Sequence, residues 1–371
     1  MNNQVLRCWL LLLAVISLFI SCTEKKPGWK GTIVNEDGLT IIKNPKLPVY
    51  AKPVVTLERD LVIGEKTGIE KEAAFSELTF LDIDRDDSIY VLSSKDSAVF
   101  VFDREGRFLR RFGKPGNGPG ELNMPIMISL SGEEILVLEM GRRLSLFDRN
   151  GEFLRALSAK EYWILVATLD SRKNVYATVG NMDPAGPSYL LIRFAPEMKS
   201  ASEISRSPAP DATRGFNPFM PVSRWQIDPA DNVIYSRPAD YVLEYYNPEG
   251  KLFKKVTRVF EPVKITEEEK EERRKALAEA PGNIKLVFSE YRPAFNRFYC
   301  DHLGRLYVQT YEKDSDGNYL HDVFDPEGRF ITRISFKGQL LKVVRNRLYC
   351  REEDEEGYEN LVRYQLTWKL D

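Results

Sequence analysis

A short pattern that is typical of a tight β-hairpin recurs along this sequence. It consists of an aromatic residue, Asp or Asn, two variable residues, Gly, a polar residue and a large apolar residue, and it occurs at 102–108, 147–153, 246–252 and 324–330. Asp and Asn bond to their own backbone in turns, and Gly accepts the positive φ that such turns require. Apolar segments flank each copy, so each copy predicts two antiparallel strands. Repetition of one hairpin indicates a fold that uses one supersecondary unit many times.

A second turn pattern supplies the other two strands of each unit. Polar residues led by Asp170, Asp228 and Asp301 are each followed by an aliphatic residue and Tyr. Together the two patterns predict four antiparallel strands per unit, which is the construction of a propeller blade. Asp103 and Asp148 are 45 residues apart, and the units centre on positions 103, 148, 195, 247, 325 and 364. The sequence therefore predicts an all-β, six-bladed β-propeller.

One interval in this series is too long for a single blade. Asn247 and Asp325 are 78 residues apart, and the segment 265–280 between them begins with Thr266 and three glutamates and continues with helix-forming residues. An N-cap residue followed by acidic residues is the usual start of a helix. We predict an inserted helix between blades 4 and 5, within an insertion of about 265–290. Its charged surface favours a solvated helix, and docking of a partner is the alternative.

The last unit supplies only three strands before the chain stops. A strand-like segment at 54–63 precedes the first complete blade. If this segment joins the last blade, it pairs an edge that would otherwise favour aggregation. We predict that the ring is closed by this N-terminal strand.

The best-preserved unit resembles an NHL repeat. The resemblance is carried by Phe75-Ser76-Glu77-Leu78, Ile89-Tyr90-Val91-Leu92, the segment 100–113 and Gly118-Pro119-Gly120-Glu121-Leu122. The whole chain is similar to the six-bladed, NHL-like propeller lipoproteins of bacteria. This resemblance implies the propeller fold and leaves the activity open.

The N-terminal residues predict export. Arg7 precedes an apolar run from Trp9 to Ile20, which is too short to span a bilayer and typical of a signal peptide. The following Ser21-Cys22 resembles a bacterial lipobox, although Phe19 stands where an aliphatic residue is preferred. We predict a lipoprotein signal peptide at 1–21, lipidation of Cys22, a linker and hairpin at 22–53, and the propeller at 54–371. The protein would be lipid-anchored in the bacterial cell envelope, and an ordinary cleaved signal peptide is the alternative.

Charge and metal-ligand composition narrow the classes of partner. The 53 basic and 55 acidic residues nearly cancel, which argues against a nucleic-acid-binding protein. Cys300 and Cys350 lie in apolar strands, where buried thiols are expected and a bridge between repeats is the alternative. With two histidines and no Cys-x-x-Cys, a zinc site is not expected. We predict no cofactor, with Ca²⁺ as an alternative, for example at Asp314-Ser315-Asp316-Gly317-Asn318.

Two further motifs do not predict catalysis. The glycines of 113–120 lack the Gly-Lys-Ser/Thr of a phosphate loop, so we interpret this segment as a crossing between blades. No Gly-x-Ser-x-Gly elbow is present, which argues against a hydrolase triad.

Candidate ligand-binding residues fall in the loops that share one face of a propeller around its channel. Guanidinium and indole groups suit carboxylate, phosphate or sugar ligands. The candidates are Arg142, Arg143, Trp163, Arg224, Trp225, Arg237, Arg292 and Arg297. The alternative for the two tryptophans is packing between blades.

The predicted function is an envelope-anchored binding or scaffold protein that recognises a protein, peptide or glycan on this face. A propeller lyase or lactonase with Ca²⁺ at the channel mouth, and a structural assembly factor of the envelope, remain as alternatives.

Overall fold

A computed structural model describes residues 28–64, 73–140, 143–158, 161–184, 186–211, 213–278 and 285–369 of the chain. The signal peptide predicted at 1–21, Cys22 and Arg142 lie outside these residues. In the described ranges there is one α-helix, α1 (Glu267–Ala278), and the rest of the regular structure is almost entirely strand.

Six sheets arranged around a channel make up the fold. In chain order their strands are β1 (Thr32–Glu36), β2 (Leu39–Asn44), β3 (Val55–Ile63), β4 (Phe80–Ile83), β5 (Ile89–Ser93), β6 (Ala98–Phe102), β7 (Phe108–Phe112), β8 (Pro125–Ser131), β9 (Glu134–Glu139), β10 (Arg143–Asp148), β11 (Phe153–Ser158), β12 (Trp163–Leu169), β13 (Val175–Asp183), β14 (Gly186–Phe194), β15 (Ala201–Pro208), β16 (Trp225–Ile227), β17 (Val233–Arg237), β18 (Val242–Tyr246), β19 (Leu252–Arg258), β20 (Arg297–Cys300), β21 (Leu306–Lys313), β22 (Tyr319–Phe324), β23 (Phe330–Ser335), β24 (Gln339–Val344), β25 (Arg347–Glu353) and β26 (Glu359–Trp368).

Each blade is an antiparallel sheet of four consecutive strands, with two exceptions that involve the N-terminal segment. Blades 1, 2, 3 and 5 are β4–β7, β8–β11, β12–β15 and β20–β23. Blade 4 comprises β16–β19 with β2 and β1 added at its outer edge, and blade 6 has the order β24-β25-β26-β3. The prediction of a six-bladed β-propeller with one inserted helix is confirmed.

Ring closure by the N-terminal strand is also confirmed. Strand β3 pairs antiparallel with β26, so that Ile63 lies opposite Leu361 and Val55 opposite Trp368. Ile63 is 1% exposed and belongs to the apolar cluster between blades 6 and 1. An N-terminal strand and the last strand of the chain therefore share one sheet, and this pairing covers an edge that would otherwise be open.

The recurring hairpin pattern acts as its residue types predict. In blade 1 the Asp103 carboxylate accepts hydrogen bonds from the backbone N–H groups of Glu105 and Arg107. Gly106 adopts a φ of 81°, which residues with a Cβ rarely take. The same turn recurs at Asp148 and Asp325.

Adjacent blades are joined through these turns. A cation of the preceding blade donates to the carbonyl that follows the turn Asp or Asn. The pairs are Arg363 to Arg104, Arg110 to Arg149, Arg193 to Pro248, and Lys254 to Pro326. Each contact gives the turn carbonyl a partner and holds the hairpin of one blade against the preceding blade.

Polar side chains join the inner strands around the channel. Asp82 of blade 1 accepts from the N–H of Leu130 in blade 2 at 2.8 Å, and Lys342 of blade 6 lies 2.7 Å from the same carboxylate. Gln226 of blade 4 bonds the backbone of Phe298 and Cys300 in blade 5. These contacts hold the inner strands in a defined arrangement at the channel.

The N-terminal segment runs along the outside of three blades. Strand β2 pairs in parallel with β19, and the Asn44 side chain bonds Gly328 and Phe330 of blade 5. The N–H groups of Val49 and Tyr50 then donate to carbonyls of β23. The hairpin predicted within 22–53 thus extends blade 4 and directs the chain to blade 6.

Candidate functional site at the channel mouth

Two long crossings form a layer on one face of the propeller. Their described residues are 209–211 and 213–224, between β15 and β16, and 259–278 and 285–296, between β19 and β20. Both crossings belong to the face that carries the crossings between blades. Phe216 exchanges backbone hydrogen bonds with Lys285 and Val287, and the Asn217 side chain donates to Ser289 at 2.7 Å. The crossings therefore fold together, although they come from different blades. We call this layer the cap.

Helix α1 lies within the second crossing, and its first turn is bonded to the rest of the cap. The N–H of Glu269 donates to Thr266 Oγ1 and the Thr266 N–H donates to the Glu269 carboxylate, which is the reciprocal arrangement of a capping box. The other Glu269 oxygen lies 2.6 Å from Arg292. Helix α1 has no buried residue, in agreement with the solvated helix predicted from its sequence.

Arg292 joins the cap to blade 5. Its guanidinium lies 4.8 Å from the ring centroid of Phe219 in one crossing and 4.9 Å from that of Tyr311 in β21. With the Glu269 carboxylate as a third partner, this cation is neutralised and enclosed. Such an arrangement suits a positioning residue that holds the cap against the blade.

Two other predicted arginines are also neutralised by carboxylates. Arg143 lies 3.3 Å from Glu139 and donates to two carbonyls of the crossing between blades 1 and 2. Arg237 lies 3.0 Å from Glu244. Both arginines therefore hold parts of the propeller together.

The two predicted tryptophans differ in exposure. Trp225 is 9% exposed and donates through Nε1 to Thr178 of blade 3, which agrees with the alternative of packing between blades. Trp163, the first residue of β12, is 49% exposed. Gly180 lies opposite it in the register, and a Cβ at Gly180 would meet no atom within 4 Å. A flat aromatic surface is thus open to solvent at the rim of blade 3.

Arg224 and Arg297 come together at the channel mouth. Arg224 precedes β16 and Arg297 begins β20, so they stand at the same end of the inner strands of adjacent blades. The surrounding protein lowers the pKa of Arg224, and the Arg297 charge lowers it further. Burial raises the pKa of Tyr311, while the charges of Arg292, Arg224 and Arg297 oppose that rise. The charges of Arg224 and Arg297 therefore act on each other and on the Tyr311 phenol.

Sequence reasoning missed the residues behind Arg297. Gln309 of β21 lies opposite Arg297, and His321 of β22 lies opposite Gln309. Gln309 is 7% exposed and His321 is 2% exposed. The alternation of Tyr307 and Gln309 along a strand was a signal that these two side chains share one face.

The alternative sites read from the sequence have structural roles in the described residues. The Asp314 carboxylate accepts from the N–H groups of Asp316 and Asn318 in its own hairpin turn. The Glu121 carboxylate accepts from the Gly118 N–H, and this bond lowers the pKa of Glu121. Within the described ranges, no group of three or more His, Cys, Asp or Glu residues is placed to hold a metal ion.

The thiols at 300 and 350 are both free. Cys350 is buried in blade 6 and Cys300 is partly buried in blade 5. Burial raises the pKa of each thiol. The alternative of a bridge between repeats is therefore wrong for this structure, and the two residues pack as small apolar groups.

Among the described residues, no helix is both long and apolar enough to cross a membrane.

Comparisons with known proteins agree with the observed fold. Residues 75–193 match the family model DUF5128, which is described as a 6-bladed beta-propeller. No curated protein matches the chain.

Several solved structures are similar to the chain at low sequence identity. A Bacteroides fragilis protein described as exported is 11% identical, with a TM-score of 0.55 and an alignment that covers 88% of this chain and 99% of that one. A member of the DUF4221 family from Bacteroides vulgatus is 12% identical, with a TM-score of 0.49 and coverage of 85% and 99%. Virginiamycin B lyase from Staphylococcus aureus is 7% identical, with a TM-score of 0.45 and coverage of 84% and 100%.

The first of these similarities shows a shared fold. Together with the family match and the sheet order, it identifies the chain as a six-bladed β-propeller.

Proposed function

We propose that this propeller is an exported, lipid-anchored binding protein that recognises a protein, peptide or glycan of the cell envelope through its capped face. The proposal for export rests on the apolar run before Ser21-Cys22. The observation that carries the binding function is the cap, because two crossings from adjacent blades fold together next to the channel mouth. Loops held on a rigid scaffold are the usual location of binding residues.

The rim beside the cap offers contacts that suit such a ligand. Trp163 is half exposed at the top of the neighbouring blade, and Arg224 is exposed at the end of the crossing. Indole and guanidinium groups are over-represented among the residues that dominate binding energies. The opposite rim consists of short turns whose Asp carboxylates are bonded to their own backbone, for example at Asp228 and Asp301.

Arrays of peptides and glycans probed with the purified chain would test this function. We expect at least one class of ligand to be retained, and the Trp163→Ala variant to lose that binding. Leu303→Ala is the matched control, since Leu303 is 52% exposed in a turn of the opposite rim. The assignment of the capped face is contradicted if Leu303→Ala loses the ligand while Trp163→Ala retains it.

Metabolic labelling with a fatty acid would test the anchor. We expect the full-length chain to incorporate the label and Cys22→Ser to lose it, whereas Cys8→Ser, within the predicted signal peptide, retains it. Label in the Cys22→Ser chain would contradict anchoring at this residue.

A further inference from the structure

Arg224 carries a charge that nothing in the described residues neutralises. Its guanidinium has no ion pair or side-chain hydrogen bond there, and its backbone N–H donates to Ser236 Oγ. The side chain is exposed, yet the pKa of Arg224 is lowered because protein surrounds it and Arg297 is close. An accessible cation in such a setting is stabilised by an anion.

Arg297 is the second cation of this pair. Its guanidinium bonds the Tyr299 hydroxyl, and Tyr299 donates in turn to the Leu340 carbonyl of blade 6. The Nε atom of Arg297 is buried without a hydrogen-bond partner. In the described ranges no carboxylate forms an ion pair with Arg297. The neutral Tyr299 hydroxyl therefore holds Arg297 in place, and the positive charge of Arg297 remains available to an anion.

A row of buried polar side chains continues from Arg297 into blade 5. Arg297, Gln309 and His321 lie directly opposite one another on adjacent strands, so their side chains share one face of the sheet. Gln309 Oε1 and His321 Nε2 are buried and have no partner among the described residues. Because the Nδ1–H of the neutral His321 ring faces the Tyr319 carbonyl, both of these atoms are acceptors. They suit the positive charge of Arg297 beside them and leave the binding of an anion to the two guanidinium groups.

The other candidate arginines that lie within the described residues provide an internal contrast. Arg143, Arg237 and Arg292 each lie within 3.3 Å of a glutamate. Each of these three candidates is thus neutralised by a carboxylate. Arg224 and Arg297 differ from these arginines, because neither forms an ion pair with a carboxylate of the described residues. Both lie at the channel mouth, in adjacent blades.

We propose that Arg224 and Arg297 form an anion subsite that binds a carboxylate or phosphate group of the ligand recognised by the capped face. Two guanidinium groups can form paired hydrogen bonds to the oxygens of either anion. The exposed face of Trp163, at the rim of the next blade, suits stacking of a flat ring attached to that anionic group. This inference rests on the proposed function for the source of the ligand.

Calorimetric titration of the folded chain at low salt tests the subsite with three probes: inorganic phosphate, a uronate trisaccharide and the corresponding neutral trisaccharide. We expect the wild type to bind at least one anionic probe and to prefer the uronate trisaccharide to its neutral counterpart. Preference for the uronate over phosphate would assign the subsite to a carboxylate, and the reverse to a phosphate. Arg224→Ala should weaken binding at least about tenfold, since hydrogen bonds to charged groups typically contribute that much.

Two further variants make the result specific. Arg297→Lys keeps the charge and the aliphatic stem but loses the planar donor pair, so it should also weaken binding. Arg214→Ala is the matched control, because Arg214 lies on the same face, is 85% exposed and is paired with Asp211. It removes the same charge and should leave the affinity unchanged.

The subsite is wrong if the wild type binds neither anionic probe, or if Arg224→Ala and Arg214→Ala bind equally well. This failure is distinguishable from failure of the proposed function. If Trp163→Ala loses an array ligand that Arg224→Ala retains, the capped face is a binding face and the anion subsite is wrong. If only the arginine variants lose a probe, the subsite stands and the role of Trp163 is wrong.

Discussion

The buried histidine of blade 5 should make the stability of this propeller depend on pH. His321 stacks on Phe336 with 4.5 Å between ring centroids, and its Nδ1 lies 3.1 Å from the Tyr319 carbonyl. Burial lowers the pKa of His321 from 6.5 to about 4, and the Arg297 charge acts in the same direction. The folded state therefore keeps this imidazole neutral at pH values where the unfolded chain binds a proton.

The sign and size of the effect follow from this difference in pKa. Between pH 6.5 and about 4 the unfolded state holds one more proton than the folded state, so the free energy of unfolding falls as the pH falls. Stability from this group is fully present above pH 6.5 and is lost progressively towards pH 4. The loss between pH 7 and pH 5 is about 2 kcal/mol.

Urea unfolding at pH 7 and pH 5 measures this contribution. The His321→Phe variant keeps an aromatic ring against Phe336 but cannot bind a proton. We expect its free energy of unfolding to fall less than that of the wild type by about 2 kcal/mol over this range. His302→Gln is the control, because it removes the exposed histidine of a turn and leaves His321 in place. Equal pH dependence in His321→Phe and the wild type would refute the reasoning.

Three other substitutions test the fold by equilibrium unfolding. Ile63→Ala in the closing strand should lower the free energy of unfolding by about 2 to 5 kcal/mol, because it leaves a cavity between blades 6 and 1. Ile33→Ala, at a position 53% exposed in β1, should lower it by less than about 1 kcal/mol. Similar losses in the two variants would contradict ring closure. Asp322→Asn should lower the free energy of unfolding by about 3 to 5 kcal/mol, since this carboxylate is 0% exposed and pairs with the buried Arg258 and the partly buried Arg333. A loss below about 1 kcal/mol would show that these ion pairs are not important for stability. Gly106→Ala should destabilise the protein more than Gly38→Ala. Both glycines have a φ of 81°, but only at Gly106 would a Cβ press into a neighbouring side chain, with the Leu61 Cδ1 atom 2.7 Å away. Equal effects of the two substitutions would contradict this packing.

The elements set by local chemistry could be predicted from the sequence. The turn at Asp103 requires only an acceptor side chain and Gly106, and both are visible in the sequence. The same is true of helix α1, whose start at Thr266 is encoded by its capping residues. Ring closure was predictable because the last blade lacks a strand and the segment 54–63 is the one available upstream.

Contacts between distant segments could not be predicted. The pairing of β2 with β19 joins Thr40 to Lys254, and parallel pairing of such distant strands leaves no local signal. The hydrogen bond from Asn44 to Gly328 spans 284 residues.

The candidate site shows the same limit. The eight predicted residues were chosen by residue type and loop position, and the sequence does not show which arginines acquire a carboxylate. Arg292 lies against Glu269 because the cap folds over blade 5, while Arg224 lies near Arg297 because the inner strands of adjacent blades begin at the same rim. Neutralisation of charge is a property of tertiary packing. Only the folded chain therefore distinguishes the arginines that are paired with a carboxylate from the unpaired Arg224 and Arg297.

A crystal structure of the chain bound to the uronate trisaccharide would test the anion subsite most directly. We predict that its carboxylate lies between the guanidinium groups of Arg224 and Arg297, within hydrogen-bond distance of both, at the channel mouth under the cap. A trisaccharide bound at the opposite rim, or on the capped face with both arginines uncontacted, would contradict the account.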